Sequence, residues 1–300
     1  VSGSGDKREG PQDSDHDLAR FERWHRNLTE IPEVQHELYG RLLAPEQPAQ
    51  LFTLFKQLAI LQIGAWRGHA DSSWLIDPSL VRRCKLWEEE SFGPPLDVNE
   101  ETVRAVEADL VERARSVGIG IDSSELELLA RLQHHGAATR LLDCTRSAFV
   151  ALWFACREEP ERDGLLIGFR LDEHAAKLST DMLSWDLDRL LEHGEGKPLW
   201  WQPRELSPRI PAQQSVFVFG PVVEERWGSI RLGEGDIDVG DTGNVPGTAL
   251  MLVSKELKSY LNSVWSSLFG FTPESLFPDL DGFASAHAVD LVPARPRPGP

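Results

Sequence analysis

Apolar positions recur at three- and four-residue steps in several windows of the chain. Within residues 47–60 they are Leu51, Leu54, Phe55 and Leu58. Pro48 stands near the start of that window, where its missing N–H costs little, so the spacing predicts a helix. A charged helix is expected over 99–116, with Val103, Val106, Leu110 and Ala114 as its apolar stripe. A second is expected over 123–134, opened by serine with a glutamate in the following turn. Residues 147–157 are nearly all apolar, which predicts a buried helix capped by Ser147. The last window, 256–268, places Leu257, Tyr260, Leu261, Val264 and Leu268 on one face. Period-two alternation over 61–67 (LQIGAWR) predicts a strand that ends at Gly68. The β-branched and aromatic runs at 164–171, 215–219 and 249–253 predict three more. No βαβ unit repeats, so the expected fold class is α+β, a mixed or antiparallel central sheet with helices packed around it.

The pattern fades at both ends. Residues 1–15 are Gly, Ser and charge, and read as a linker too polar to bury anything. The Pro-rich stretch 293–300 reads as an extended tail. APEQP at 44–48 is the best joint, dividing an N-terminal helical segment at 16–44 from a main domain at 45–292.

Composition narrows the function classes. No apolar run reaches the roughly 18 residues of a membrane span, and no signal-peptide pattern is present, so no membrane partner is expected. Three widely spaced cysteines (Cys84, Cys144, Cys156) suit a reducing cytoplasm better than a disulfide frame or a zinc knuckle. The formal charge of −17 disfavours broad nucleic-acid binding, which needs a basic face. Arg82, Arg83 and Lys85 still allow a local basic pocket.

The densest polar stretch is QHHGAATRLLDCTRSAFVALWFA at 133–155, where Gln133, His134, Thr139, Arg140, Asp143 and Thr145 crowd against the apolar helix. An unpaired charge beside a buried segment costs several kcal/mol, so the cluster is either a structural network or a site. Gly136 is expected to end the preceding helix with a left-handed cap. His134 and His135 are adjacent and diverge by about 100° on a helix, so they cannot share a metal as an i, i+4 pair would, and no metal is expected. The first turn of the helix at Ser147 offers backbone N–H groups to an anion. Arg67, at a strand end before Gly68, presents a planar fork suited to phosphate or carboxylate. Pairing of Arg67 or Arg140 with an internal carboxylate such as Asp143 is the structural alternative. Gln213 and Gln214, before the 215–219 strand, could hold a ribose or amide group or merely cap a strand edge. Trp200 and Trp201 read as core rather than as a base-stacking platform. Glu88, Glu89 and Glu90 read as a solvated face.

Five of these segments carry a resemblance. WRGH at 66–69, DPSLVRR at 77–83, QHHGAATRLLDCTRSAFVALWFA at 133–155, RIPAQQSVFVF at 209–219 and LFPDLDG at 276–282 follow, in order and spacing, the pattern of the FRG domain of bacterial and phage proteins. The resemblance spans roughly residues 50–285. Trp66 stands for the aromatic Phe of the family's Phe-Arg-Gly motif, and His69 for a common Gln. The layout also resembles the ADP-ribosyltransferases, which implies a split sheet and NAD as the bound nucleotide. On that likeness Arg67 and Arg140 clamp phosphate, with Gly68, Gln133 and Thr139 beside them. Thr145 and the helix start at Ser147 then contact ribose, while His134, Asp143 and Gln214 position the reacting groups. Gln213 or Gln214 occupies the place of the family's late Glu, and a neutral amide cannot act as a general base. Either Asp143 or a Glu elsewhere supplies the carboxylate, or a nucleotide is bound without transfer. The resemblance thus implies transfer of ADP-ribose to an acceptor macromolecule, as in a toxin or phage-defence effector. The alternatives are a nucleotide-binding sensor without chemistry and a scaffold whose polar cluster is only a buried network.

Overall fold

Strands buried on both faces need apolar residues at every position, and three runs of this chain meet that requirement. The computed structural model describes residues 30–58, 63–90, 98–203, 206–232 and 248–287. Within them β1 (Glu33–His36) and β2 (Gly40–Leu43) form a hairpin, followed by β3 (Ala65–His69), β4 (Leu142–Thr145), β5 (Gly164–Phe169), β6 (Ala176–Lys177), β7 (Leu199–Trp201) and β8 (Ser215–Phe219). A small ribbon of β9 (Val222–Glu225) and β10 (Gly228–Ile230) precedes β11 (Thr248–Val253). Nine strands make one sheet in the order β1-β2-β11-β5-β3-β4-β8-β7-β6. Its pairs are antiparallel except β2–β11 and β6–β7. The fold is α+β, with a mixed sheet and helices around it.

Alternation sorts the core. Leu165 and Ile167 of β5, Leu250 and Leu252 of β11, and Val216 and Val218 of β8 point into one apolar layer. On the opposite face Leu166, Met251 and Val253 meet the helices Ala148–Arg157 and Lys255–Val264. Phe217 and Phe219 instead meet a second helical layer, built on Glu100–Ser116, Glu125–His134 and Leu187–His193. The two layers share one face of the sheet and stand over different strands.

Several expectations hold. Ser147 caps the apolar helix through Val150 N–H at 3.3 Å. Ser124 and Glu127 form a capping box on the helix that follows. Gly136 takes φ of +91° just past that helix. Trp200 and Trp201 are core residues of β7. Other expectations do not. Residues 33–43, read as part of a helical segment, are the β1–β2 hairpin, and β2 joins the main sheet through β11. Two short strands around Gly40 at φ +73° gain more from that edge than from an isolated helix. The remainder of that segment, both termini, and the Glu88, Glu89 and Glu90 side chains lie outside the described residues.

Two helix faces also turn differently from the predicted stripes. Glu100–Ser116 buries Val103, Glu107, Val111 and Ala114, while Val106 is exposed. Lys255–Val264 buries Lys258 between Leu257 and Leu261, and Tyr260 and Leu268 face outward. Both inward charges are fully paired. Lys258 Nζ donates to the carbonyls of Ala70, Glu158, Glu159 and Arg162 at 2.8–3.0 Å.

Candidate functional site

TRLLDCT contains a strand that the hydrophobic pattern does not announce. β4 pairs fully with β8, but with β3 only at Trp66–Thr145. Beyond that pair the two strands part, and the sheet opens beneath the gap between the two helical layers. A cleft of about 930 Å³ fills the opening. Its floor includes Arg67, Gly68 and Asp143, and its walls include Gln133 and His134 on one side and Ala151 and Phe154 on the other. Ser207, Arg209, Phe277 and Asp279 form its outer rim.

Arg67 bridges the opening. Its Nη1 donates to the Asp143 carbonyl at 2.5 Å and its Nε to His69 Nε2 at 3.0 Å. His69 is buried, and burial together with Arg67 and Arg82 holds its pKa well below the ordinary value, so it is a neutral acceptor. A glutamine carbonyl could accept the same bond, which explains how either residue can serve there. Three of the five guanidinium N–H groups remain for a ligand.

The Asp143 side chain is fixed from the helix wall. Gln133 Nε2 donates to Asp143 Oδ1 at 2.7 Å. The Gln133 amide is oriented in turn by Thr139, whose hydroxyl donates to Gln133 Oε1. The Thr139 hydroxyl also accepts Leu141 N–H at 3.1 Å. The carboxylate is open to the cleft but crowded by protein on its other sides. That crowding pushes its pKa above the ordinary carboxylate value, against the pull of Arg67, Gln133 and Arg82. Cys144 beside it is buried with its thiol pushed up to about 12, so it is no thiolate nucleophile.

The rim is a second network. Arg209 grips Asp279 through Nε at 2.5 Å and Nη2 at 2.8 Å, and this ion pair lowers the Asp279 pKa to about 2. Asp279 Oδ2 also lies 3.1 Å from His134 Nε2. Gln213 Nε2 donates to the Leu276 carbonyl at 2.8 Å, and the Arg209 guanidinium stacks 5.0 Å from the Phe277 ring centre. The distant segments 209–213 and 276–282 are thereby one wall.

The structure brings Arg67, Gly68, Gln133, His134, Asp143 and Thr145 to the cleft. It separates others from it. Arg140, expected to clamp phosphate, is 1% exposed and held by Glu107 and Glu100 at 2.5 and 2.8 Å. Its task is to pin the Glu100–Ser116 helix to β4, the pairing its burial demands. Thr139 is fully buried and reaches the cleft only through Gln133. Gln214 takes φ of +49° in the turn into β8 and does not line the cleft. Its backbone accepts Arg146 N–H at 2.9 Å. Thr145 spends its hydroxyl on the Gln213 carbonyl at 2.6 Å. Gly68 is required by the helix above, since a Cβ there would lie 1.9 Å from the Ala151 carbonyl oxygen. Ser147 caps its own helix and is no part of the lining, so the anticipated anion site at that helix start does not face the cleft. Sequence reading named no role for Glu107, Ser207, Arg209 or Asp279. The last two were legible only as members of the RIPAQQ and LFPDLDG motifs.

Residues 62–164 match the family model of the FRG domain. No curated protein and no solved structure matches the chain significantly. Among the described residues, no helix is long and apolar enough to cross a membrane, and no group of three His, Cys, Asp or Glu is placed to hold a metal ion.

Proposed function

We propose that this chain, which carries an FRG domain, binds a nucleotide of the NAD type in the cleft and transfers its ADP-ribosyl group. The observation that carries the reading is the joint placement of the Arg67 fork and the Asp143 carboxylate on one cleft floor. Ligand pockets span roughly 300–1,000 Å³, and at about 930 Å³ this one has room for a dinucleotide. Arg67 takes the pyrophosphate with its free N–H groups. Asp143 takes the role that the amides of Gln213 and Gln214 cannot fill. Held by Gln133, its carboxylate faces the ribosyl carbon and stabilises positive charge there as the C–N bond to nicotinamide breaks. Nicotinamide leaves with the bonding electrons, the acceptor oxygen or nitrogen bonds to the ribosyl carbon, and the acceptor's proton passes to Asp143. The raised Asp143 pKa suits a base better than an ordinary surface carboxylate. Acting on a macromolecule in the cytoplasm, such transfer belongs to a toxin or phage-defence effector.

The test is a melting curve with NAD, ADP-ribose and other adenine nucleotides, followed by chromatographic assay of nicotinamide release. NAD should raise the melting temperature, and Arg67→Ala should remove that shift. Asp143→Asn should keep the shift and lose release by about a hundredfold or more. A shift without release would select the sensor reading, which the missing late Glu favours. No shift with any nucleotide refutes both.

A further inference from the structure

Ser207 has no part in the nucleotide reading, yet it completes a constellation on the rim. Its Oγ lies 3.4 Å from His134 Nδ1, and His134 Nε2 lies 3.1 Å from Asp279 Oδ2. All three residues border the cleft. The geometry points to Ser207 as a nucleophile activated by His134, accepting the acyl group of a carboxylic ester that enters the cleft mouth.

Asp279 and Arg209 are the positioning residues. The two-pronged grip of Arg209 keeps Asp279 ionised, so its oxygens can only accept hydrogen bonds. With the proton on His134 Nε2, 3.1 Å from Asp279 Oδ2, the ring meets that carboxylate as an N–H rather than as a second lone pair. Nδ1 is left with its lone pair toward Ser207, whose hydroxyl is then the donor. A separation of 3.4 Å is at the long end for a hydrogen bond, as is common for a nucleophile and its base before substrate closes on them. Among the described residues the Ser207 hydroxyl has no other partner.

The step balances within these groups. Ser207 Oγ bonds to the carbonyl carbon as its proton moves to His134 Nδ1. The carbon–alkoxy bond breaks, and the alcohol leaves with that proton. Water then attacks the acyl-serine carbonyl carbon and gives a proton to His134, the carbon–Oγ bond breaks, and His134 returns that proton to Ser207 Oγ as the acid leaves. His134 is faced by Arg209 from the 209–213 segment, Asp279 and Asp281 from the 276–282 segment, Asp143 from β4, and His135 just past the end of its own helix. Burial and Arg209 outweigh Asp279 and lower its pKa, which leaves it an unprotonated base at neutral pH.

A fluorophosphonate probe tests this on the full chain without nucleotide. Oγ–P bond formation expels fluoride by the same base-assisted route. Mass spectrometry should locate one adduct on Ser207, absent in Ser207→Ala. Labelling in His134→Gln should be slower by about a hundredfold or more. The wild-type rate should rise with pH on the acid side and level off near neutrality, through a midpoint below the ordinary histidine value of 6.5. That profile is a property a merely structural His134 would not confer, and it needs no variant to fold. No adduct, an adduct on another serine, or a rate flat across this pH range overturns the assignment. Because the probe needs no nucleotide, failure here and failure of NAD binding are separate results.

Discussion

Asp143 and Asp279 lie in the same cleft and titrate in opposite directions. Crowding raises the first, and the Arg209 guanidinium depresses the second to about 2. A depressed folded-state pKa contributes stability above the unfolded value of 3.8, and that contribution is lost as pH falls through about 2. Asp279→Asn should therefore cost on the order of 1–2 kcal/mol near pH 6, after allowing for solvent screening, and almost nothing near pH 2. Paired denaturant titrations at the two pH values would show it, and an equal loss at both would contradict the assignment. Arg140 belongs to the interior. Removing it leaves Glu107 buried without its cation, so Arg140→Met should lose about 3–5 kcal/mol. Nucleotide affinity, measured below the melting point, should survive that substitution because Arg140 does not reach the cleft.

At the scale of elements, hydrophobic spacing located helices well and their inward faces less well. The capping box at Ser124 and the Ser147 cap are local devices, and local chemistry is what a sequence displays. Glu107 and Lys258 are the reverse case. Each looks like a solvent-facing charge until a distant partner is folded against it, Arg140 for one and four backbone carbonyls for the other. β4 was hidden for a similar reason. LDCT alternates sides, but Asp143 faces a cleft where an apolar residue would mark a strand. Gly68 ties two elements together. Gly68→Ala sets a Cβ against the Ala151 carbonyl, which must displace the Ala148–Arg157 helix. We expect a loss of about 1–3 kcal/mol by thermal or chemical denaturation. A fully stable Gly68→Ala protein would show that the helix can retreat.

At the scale of the whole molecule, the cleft exists because two helical layers share one face of a sheet that parts between β3 and β4. Its rim is tied in part by an ion pair across 70 residues of sequence, Arg209 to Asp279. Arg209→Met should free the 276–287 segment while leaving the sheet intact. Hydrogen exchange should quicken there and stay unchanged in β5 and β11, whose strands are buried throughout. Uniform quickening would instead mean that the rim contributes to global stability. The FRG match ends at residue 164, so the rim lies beyond the matched segment although it walls the same cleft.

By itself the sequence determined the α+β class, the apolar helix with its serine cap, strands read at 164–171, 215–219 and 249–253 that fold as 164–169, 215–219 and 248–253, and the segment 62–164 that matches the FRG family model. It also placed Gln133, His134 and Asp143 together as candidates, since their crowding beside an apolar helix is visible in one dimension, and it singled out Arg67 separately at a strand end before Gly68. Only the tertiary structure decided which of two similar arginines faces the cleft. Arg67 stands where β3 and β4 part, whereas Arg140 meets Glu107 in the interior. The physical reason is that a charge finds its role through its partner, and these partners stand 33 to 76 positions away.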